Sequence, residues 1–146
     1  MIQTNIFNKK TPPSDQQKKL FIDFLFEHLE QYGDPKQDIE KCIAYALENR
    51  ASFGGFIVAL MDNETLKGVA IVNKTGMGGY IPENILVYIA THNGYRGEGL
   101  GKKIMHEIIE NTEGDIALHV EANNSAKFLY EKFGFTNPYL EMRLKK

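Results

Sequence analysis

The chain has 146 residues, 42% of them hydrophobic and 25% charged, with a formal net charge of −2. That length supports one domain over residues 1–146, and the single cysteine, Cys42, excludes an intramolecular disulfide framework or a cysteine zinc cluster. Without a basic excess or a long uncharged apolar run, the chain is expected to be cytoplasmic, with neither nucleic acid nor membrane as partner.

The first segment, "IQTNIF", reads as a short strand, after which Pro12 and Pro13 break the chain and Ser14 or Asp15 can cap a helix. Leu20, Phe21, Phe24, Leu25 and Leu29 recur at helical spacing, and Gly33, Asp34 and Pro35 end the pattern. A second helix is predicted from Pro35 to Asn49, on the apolar stripe Ile39, Cys42, Ile43, Ala46 and Leu47, with Cys42 as a buried helix residue. The period then changes to that of strands. "GFIVALM" and "LKGVAIV", joined through "DNET", read as an antiparallel hairpin, and "ILVYIAT" reads as a strand buried on both faces.

A third helix carries Leu100, Ile104, Met105, Ile108 and Ile109, with Lys102, Lys103, Glu107 and Glu110 on its wet side. "DIALHVEA" alternates as a strand, and Ala126, Leu129, Tyr130 and Phe133 share one face of a fourth helix that Gly134 stops. The tail "YLEMRLKK" alternates again and is predicted as a last strand closing the sheet. The fold class is therefore α/β (α+β), a mixed sheet covered by helices, with residues 85–121 as a right-handed crossover unit.

The stretch "GYRGEGLGKK" precedes the third helix, where backbone N–H groups lack intrahelical partners and the helix dipole favours an anion. Gly97, Gly99 and Gly101 would clear the approach to that backbone, and Arg96, Lys102 and Lys103 add positive charge. Two nucleotide loops fail by position. A Walker loop needs glycine at Arg96 and serine or threonine at Lys103, and a dinucleotide loop starting at Gly97 needs glycine at Lys102.

Arg96, Gly99 and Gly101 instead fit [Q/R]-x-x-G-x-[G/A] after a buried strand, and "NNSAKFLYEKFGF" fits N-x-x-A-x-x-(L/F)-Y-x-x-x-G-F. On both motifs the chain resembles the GNAT N-acetyltransferases, whose element order it follows over most of its length. The resemblance implies a mostly antiparallel central sheet flanked by about four helices, and an acetyl-CoA cosubstrate. It implies further that Arg96, Gly97, Glu98, Gly99, Leu100, Gly101 and Lys102 hold the pyrophosphate of coenzyme A. Ile89, Ala90 and Thr91 would pair with the pantetheine arm as an added strand would, and an N–H near Ile89 would polarise the thioester carbonyl. Asn123 or Asn124 would contact the pantetheine, since motif spacing from Tyr130 selects the first and strand alternation the second.

Acetyl transfer to an amine needs a deprotonated nucleophile, stabilisation of charge on the carbonyl oxygen and a proton for the departing thiolate. No metal is required. Tyr130 would donate that proton. Members of the family place a glutamate or tyrosine on the strand before the loop, where this chain has Ile85. His119 resembles the histidine that certain polypeptide N-terminal acetyltransferases use as base, with Glu83, Asn84, Tyr88 and Glu121 as further candidates. The implied function is acetyl transfer to a primary amine of a small molecule or peptide, by direct attack in a ternary complex. An α-amine is the better fit to a site without a strand carboxylate, because its reference pKa of ~7.7–8.0 lies below the ~10.4 of lysine. The alternative is a non-catalytic acyl-CoA sensor or interaction module of the same fold. Twelve residues follow Gly134, so the loop that often covers the acceptor in this family is expected to be short, and the acceptor side is expected to be open or completed by a second copy in a homodimer.

Overall fold

The computed structural model describes residues 1–146. The elements in chain order are β1 (Ile2–Phe7), α1 (Asp15–His28), α2 (Lys36–Ala46), β2 (Gly55–Asp62), β3 (Thr65–Lys74), β4 (Asn84–Thr91), α3 (Leu100–Glu110), β5 (Ile116–Leu118) and α4 (Lys127–Lys132). Ser14 caps α1 in a reciprocal box: its hydroxyl accepts from the Gln17 N–H, and the Gln17 side chain accepts from the Ser14 N–H. The α2 helix ends at Ala46, three residues before the predicted Asn49, because Glu48 turns left-handed (φ 57°) and Asn49 N–H closes back on the Ala44 carbonyl.

The five strands lie in the order β1-β2-β3-β4-β5, antiparallel except for the parallel β4–β5 pair. Alternation along β2 and β3 sends Ile57, Ala59, Val69 and Ile71 to one face, where α1 and α2 cover them with Phe21, Leu25, Ile39 and Ile43. Val58, Leu60, Ala70 and Val72 go to the other face, against Leu100, Ile104, Met105 and Ile108 of α3 and Tyr130 of α4. Gly68 suits this packing, since a Cβ there would stand 2.6 Å from the Ile104 Cδ1 and that side chain would have to shift.

Two irregularities shape the sheet end nearest the glycine loop. Pairings Leu60–Gly68 and Met61–Leu66 skip Lys67, and pairings Ile71–Tyr88 and Val72–Leu86 skip Val87. A skipped residue bends its strand and shifts the phase of its side chains. Leu86 accordingly packs with the α3 core, whereas Tyr88 and Ala90 pack with the α1–α2 core. This corrects the expectation of a strand buried on both faces: Asn84, Leu86, Tyr88 and Ala90 are buried, but Val87 is 38% exposed and Ile85, Ile89 and Thr91 are half-buried. The apolar run "ILVYIAT" is continuous because the bulge makes it serve both cores.

The predicted closing strand is not formed. β5 pairs with β4 over only Ile116–Leu118, and residues 135–146 take no regular structure. Leu140, Met142 and Leu144 stand 83–90% exposed. Alternation states which side chains would share a face, but a strand also needs a neighbouring edge, and three residues of β5 offer too few ladder bonds to hold one.

Candidate active site

Beyond Leu86 the two parallel strands part, so residues 87–91 of β4 have β3 on one side and no strand on the other. Ile89, Ala90 and Thr91 lie on this stretch: Ile89 is half-buried, Ala90 belongs to the α1–α2 core and Thr91 reaches the cleft described below. The chain then forms a short turn at Asn93–Tyr95 and the glycine loop before entering α3.

Gly97 and Gly99 have φ of 89° and 75°, left-handed values that a side chain with a Cβ resists, and a Cβ at either would meet no atom within 4 Å. Bare backbone at these positions therefore faces open space. The first helical bond of α3 runs from the Lys103 N–H to the Gly99 carbonyl, so the N–H groups of Leu100, Gly101 and Lys102 precede the intrahelical ladder. A cleft of about 620 Å³ opens there, lined by Arg96, Gly97, Gly99, Leu100, Gly101 and Lys102 from the loop and α3, and by Leu129 and Lys132 from α4.

Two of the sequence arguments for the loop change in detail. Gly101 lines the cleft, but a Cβ there would stand 3.0 Å from the Leu129 Cδ2, so packing of α3 on α4 is its own reason for being glycine. The charge of Arg96 is not free: its guanidinium donates to the Glu30 carboxylate at 2.9 Å and to the His28 carbonyl at 3.5 Å. Lys102 and Lys132 supply the positive charge along the cleft instead. Glu98 faces away from it, 3.6 Å from the ammonium of Lys67. That lysine is 8% exposed, lies 3.6 Å from Asp62 and stands 3.8 Å over the Tyr95 ring, so the bulge in β3 aims a buried cation at the underside of the loop.

Tyr130 sits in the last turn of α4, 8% exposed within the α3 core. The spacing Tyr-x-x-x-Gly-Phe has a local cause. Phe135 N–H donates to the Tyr130 carbonyl at 3.1 Å, Gly134 N–H donates to the Glu131 carbonyl at 3.0 Å, Gly134 has φ 95°, and the Tyr130 and Phe135 rings lie 6.0 Å apart. This is a Schellman end with its apolar contact, and it locks the tyrosine in place. Burial alone pushes the phenol up to about 12, so Tyr130 keeps its proton across the neutral range.

The two asparagines differ in what they are free to do. The Asn124 side chain accepts from the Ala126 N–H at 2.9 Å and starts α4, whereas Asn123 is exposed and its carbonyl accepts from the Tyr32 hydroxyl at 3.3 Å. His119 lies just past the end of β5 with its side chain 66% exposed, and its Nδ1 is 4.0 Å from the Glu141 carboxylate of the tail.

Three other base candidates hold structural bonds. The Glu83 carboxylate accepts from the Asp115 N–H at 2.8 Å, and backbone hydrogen bonds keep it below the usual carboxylate range. Asn84 donates to the Glu113 and Asp115 carbonyls at 2.7 and 3.2 Å, joining the start of β4 to β5. Tyr88 donates to the Asp34 carboxylate at 2.6 Å, and burial together with Asp34 raises its phenol far above the usual value. Glu121 is exposed. Cys42 is buried, with its thiol pushed up to about 12 by burial.

Sequence reasoning passed over Lys67, Lys132, His28 and His92. Lys132 is two residues beyond Tyr130 in the same motif and could have been found there; His28 falls on the helical stripe of α1 but is polar, and Lys67 and His92 owe their places to a bulge and a turn that leave no periodic trace.

The family model of the acetyltransferase (GNAT) domain matches residues 52–137, more than half of the chain. No curated protein matches it by sequence. Among solved structures, an aminoglycoside N-acetyltransferase, AAC(6')-Iy, in complex with CoA is similar with a TM-score of 0.71 at 12% identity, over 100% of this chain and 95% of that one. A ribosomal-protein-alanine N-acetyltransferase from Brucella melitensis is similar with a TM-score of 0.68 at 12% identity, over 100% and 99% of the two chains. A protein from Pyrococcus horikoshii, PH1933, gives a TM-score of 0.70 at 21% identity, over 97% and 93%. At these identities the likeness is one of fold.

Proposed function

The chain belongs to the GNAT acetyltransferase family, and on that premise we propose that it is an acetyl-CoA-dependent N-acetyltransferase acting on a primary amine by direct attack in a ternary complex. One observation carries the reading: Gly97 and Gly99, left-handed and open to space, leave the free N–H groups of Leu100, Gly101 and Lys102 accessible at the start of α3. A pyrophosphate suits that backbone, and Lys102 and Lys132 match its charge. The unpaired stretch of β4 over Ile89, Ala90 and Thr91 suits an extended amide chain such as pantetheine, which would take the place of a strand. The free side chain of Asn123 favours it over Asn124 as the pantetheine contact.

Acetyl-CoA supplies an acetyl group already activated as a thioester. The protein has to supply charge stabilisation and two proton positions. A β4 N–H near Ile89 donating to the carbonyl oxygen contributes about 3 kcal/mol, by the measure of other acyl-transfer sites. Tyr130, protonated at neutral pH, gives its proton to the departing sulfur. His119 takes the proton of the amine; its side chain is 66% exposed, so solvent reaches the ring. The acceptor class is an α-amine of a peptide or a small-molecule amine.

A non-catalytic acyl-CoA sensor of the same fold is favoured by one observation, the commitment of Glu83, Asn84 and Tyr88 to structural bonds. Release of free thiol from acetyl-CoA against a panel of peptide and small-molecule amines decides between the two. Turnover on at least one amine is the expected result, and binding without turnover on every amine would make the protein a sensor.

A further inference from the structure

Two imidazoles outside the proposed catalytic machinery lie against the glycine loop. His28 completes the buried stripe of α1 and is 4% exposed, and its ring lies 4.2 Å from that of His92, which follows β4 directly. Each gives its Nδ1 lone pair to a backbone N–H of the same turn: Asn93 N–H donates to His28 at 3.1 Å, and Gly94 N–H donates to His92 at 3.0 Å. A ring nitrogen that accepts a hydrogen bond carries no proton, so both rings are neutral Nε2–H tautomers in this arrangement. In His28 that second nitrogen lies 2.8 Å from the Glu27 carboxylate, which fixes the tautomer from the other side.

We propose that His28 and His92 are positioning residues for the loop from Asn93 to Gly99, which keeps its ligand-binding shape while both Nδ1 atoms accept from the turn and loses it when His28 takes a proton. For the ligand, coenzyme A, this rests on the function proposed above; for the loop it does not. A protonated His28 Nδ1 is a donor facing a donor, so the bond from Asn93 is replaced by repulsion. Residues 93 and 94 lead straight into Arg96, Gly97 and Gly99, so release of the turn moves the backbone that lines the cleft.

The surrounding charges set the pH at which this happens. Burial holds His28 below its ordinary value of 6.5, and His92 and Arg96 act in the same direction, against Glu27 and Glu30. His92 packs on Phe24 of α1 and on the Tyr95 ring, which has the Lys67 ammonium over it, itself paired with Glu98 and Asp62. A group with a depressed folded pKa stabilises the fold above its unfolded value and ceases to do so as pH falls. The His28 contribution is therefore present in full above about 6.5 and is lost progressively as pH falls from there through the lowered folded value.

The test follows amide hydrogen exchange of Asn93 and Gly94 in the free protein by NMR, and coenzyme A affinity by calorimetry, both at pH 7.5 and 5.5. In the wild type, protection of Asn93, corrected for intrinsic exchange, should fall several-fold between these pH values, and that of Gly94 should follow as the turn opens. His28→Asn keeps an acceptor oxygen that does not titrate, so it should hold Asn93 protection at pH 5.5, whereas His28→Leu should lose it at both pH values, and His92→Leu should release Gly94 at both. Coenzyme A has a titrating phosphate of its own, so the affinity readout is the difference in pH profile between wild type and His28→Asn, with the wild type losing more on acidification. Protection independent of pH, or equal affinity profiles in the two proteins, would overturn the proposal. Titrating amides in a folded protein that binds no coenzyme A at either pH would support the imidazole roles and refute the ligand.

Discussion

Tyr130 shows how a single environment selects a chemical role. Burial in the α3 core pushes its phenol up to about 12, which keeps the proton on at neutral pH and disqualifies the residue as a base. Replacing Tyr130 with Phe removes the hydroxyl and keeps the ring that fills the core. Turnover should fall about 10²- to 10⁴-fold in steady-state assays while acetyl-CoA affinity by calorimetry changes little; undiminished turnover would take Tyr130 out of the reaction. Its place was legible because the distance from Tyr130 to Gly134 is a local constraint of the helix end. His28 was not legible for an equally physical reason. The stripe read from the sequence ran through Leu20, Phe21, Phe24, Leu25 and Leu29, yet Leu20 is 51% exposed and the fourth position of the buried face is His28, at 4%. A search for apolar spacing passes over a polar ring whose partners come from a turn 65 residues away.

At the scale of elements, irregularities carry the site. The skipped residues Lys67 and Val87 turn β3 toward the loop and separate β4 from β5, and both fall within runs that look like ordinary strands in the sequence. Hydropathy alone does not reveal a bulge, since both phases of "ILVYIAT" are apolar. Two helix ends, by contrast, were marked: Ser14, one of the two expected caps, starts α1, and Gly134 fixes the end of α4, whereas α2 ends three residues before Asn49. Gly134→Ala places a Cβ on left-handed backbone with no atom within 4 Å, so its cost is conformational, about 1–2 kcal/mol. Urea denaturation should record that loss; unchanged stability would mean that the Schellman end does not constrain α4.

For the whole molecule, the order of strands and helices followed from periodicity because each strand of the meander has to feed two cores, one under α1 and α2 and one under α3 and α4. The tail was misread for want of a neighbouring edge. Tyr139, Leu140, Met142 and Leu144 are each at least 83% exposed, so removing residues 138–146 should shift the melting temperature by no more than about 2 °C. A larger drop in a calorimetric scan would show that the tail buries more than its exposure indicates. The proposed function requires that the start of α3 bind an acyl carrier. The direct measurement is a calorimetric titration with coenzyme A of the wild type and of Gly99→Val, whose side chain would enter the open space before Leu100, with folding of the variant checked by circular dichroism. Saturable binding by the wild type and its loss in the folded variant is the predicted result. Undiminished affinity in folded Gly99→Val, or no binding by the wild type, would contradict it.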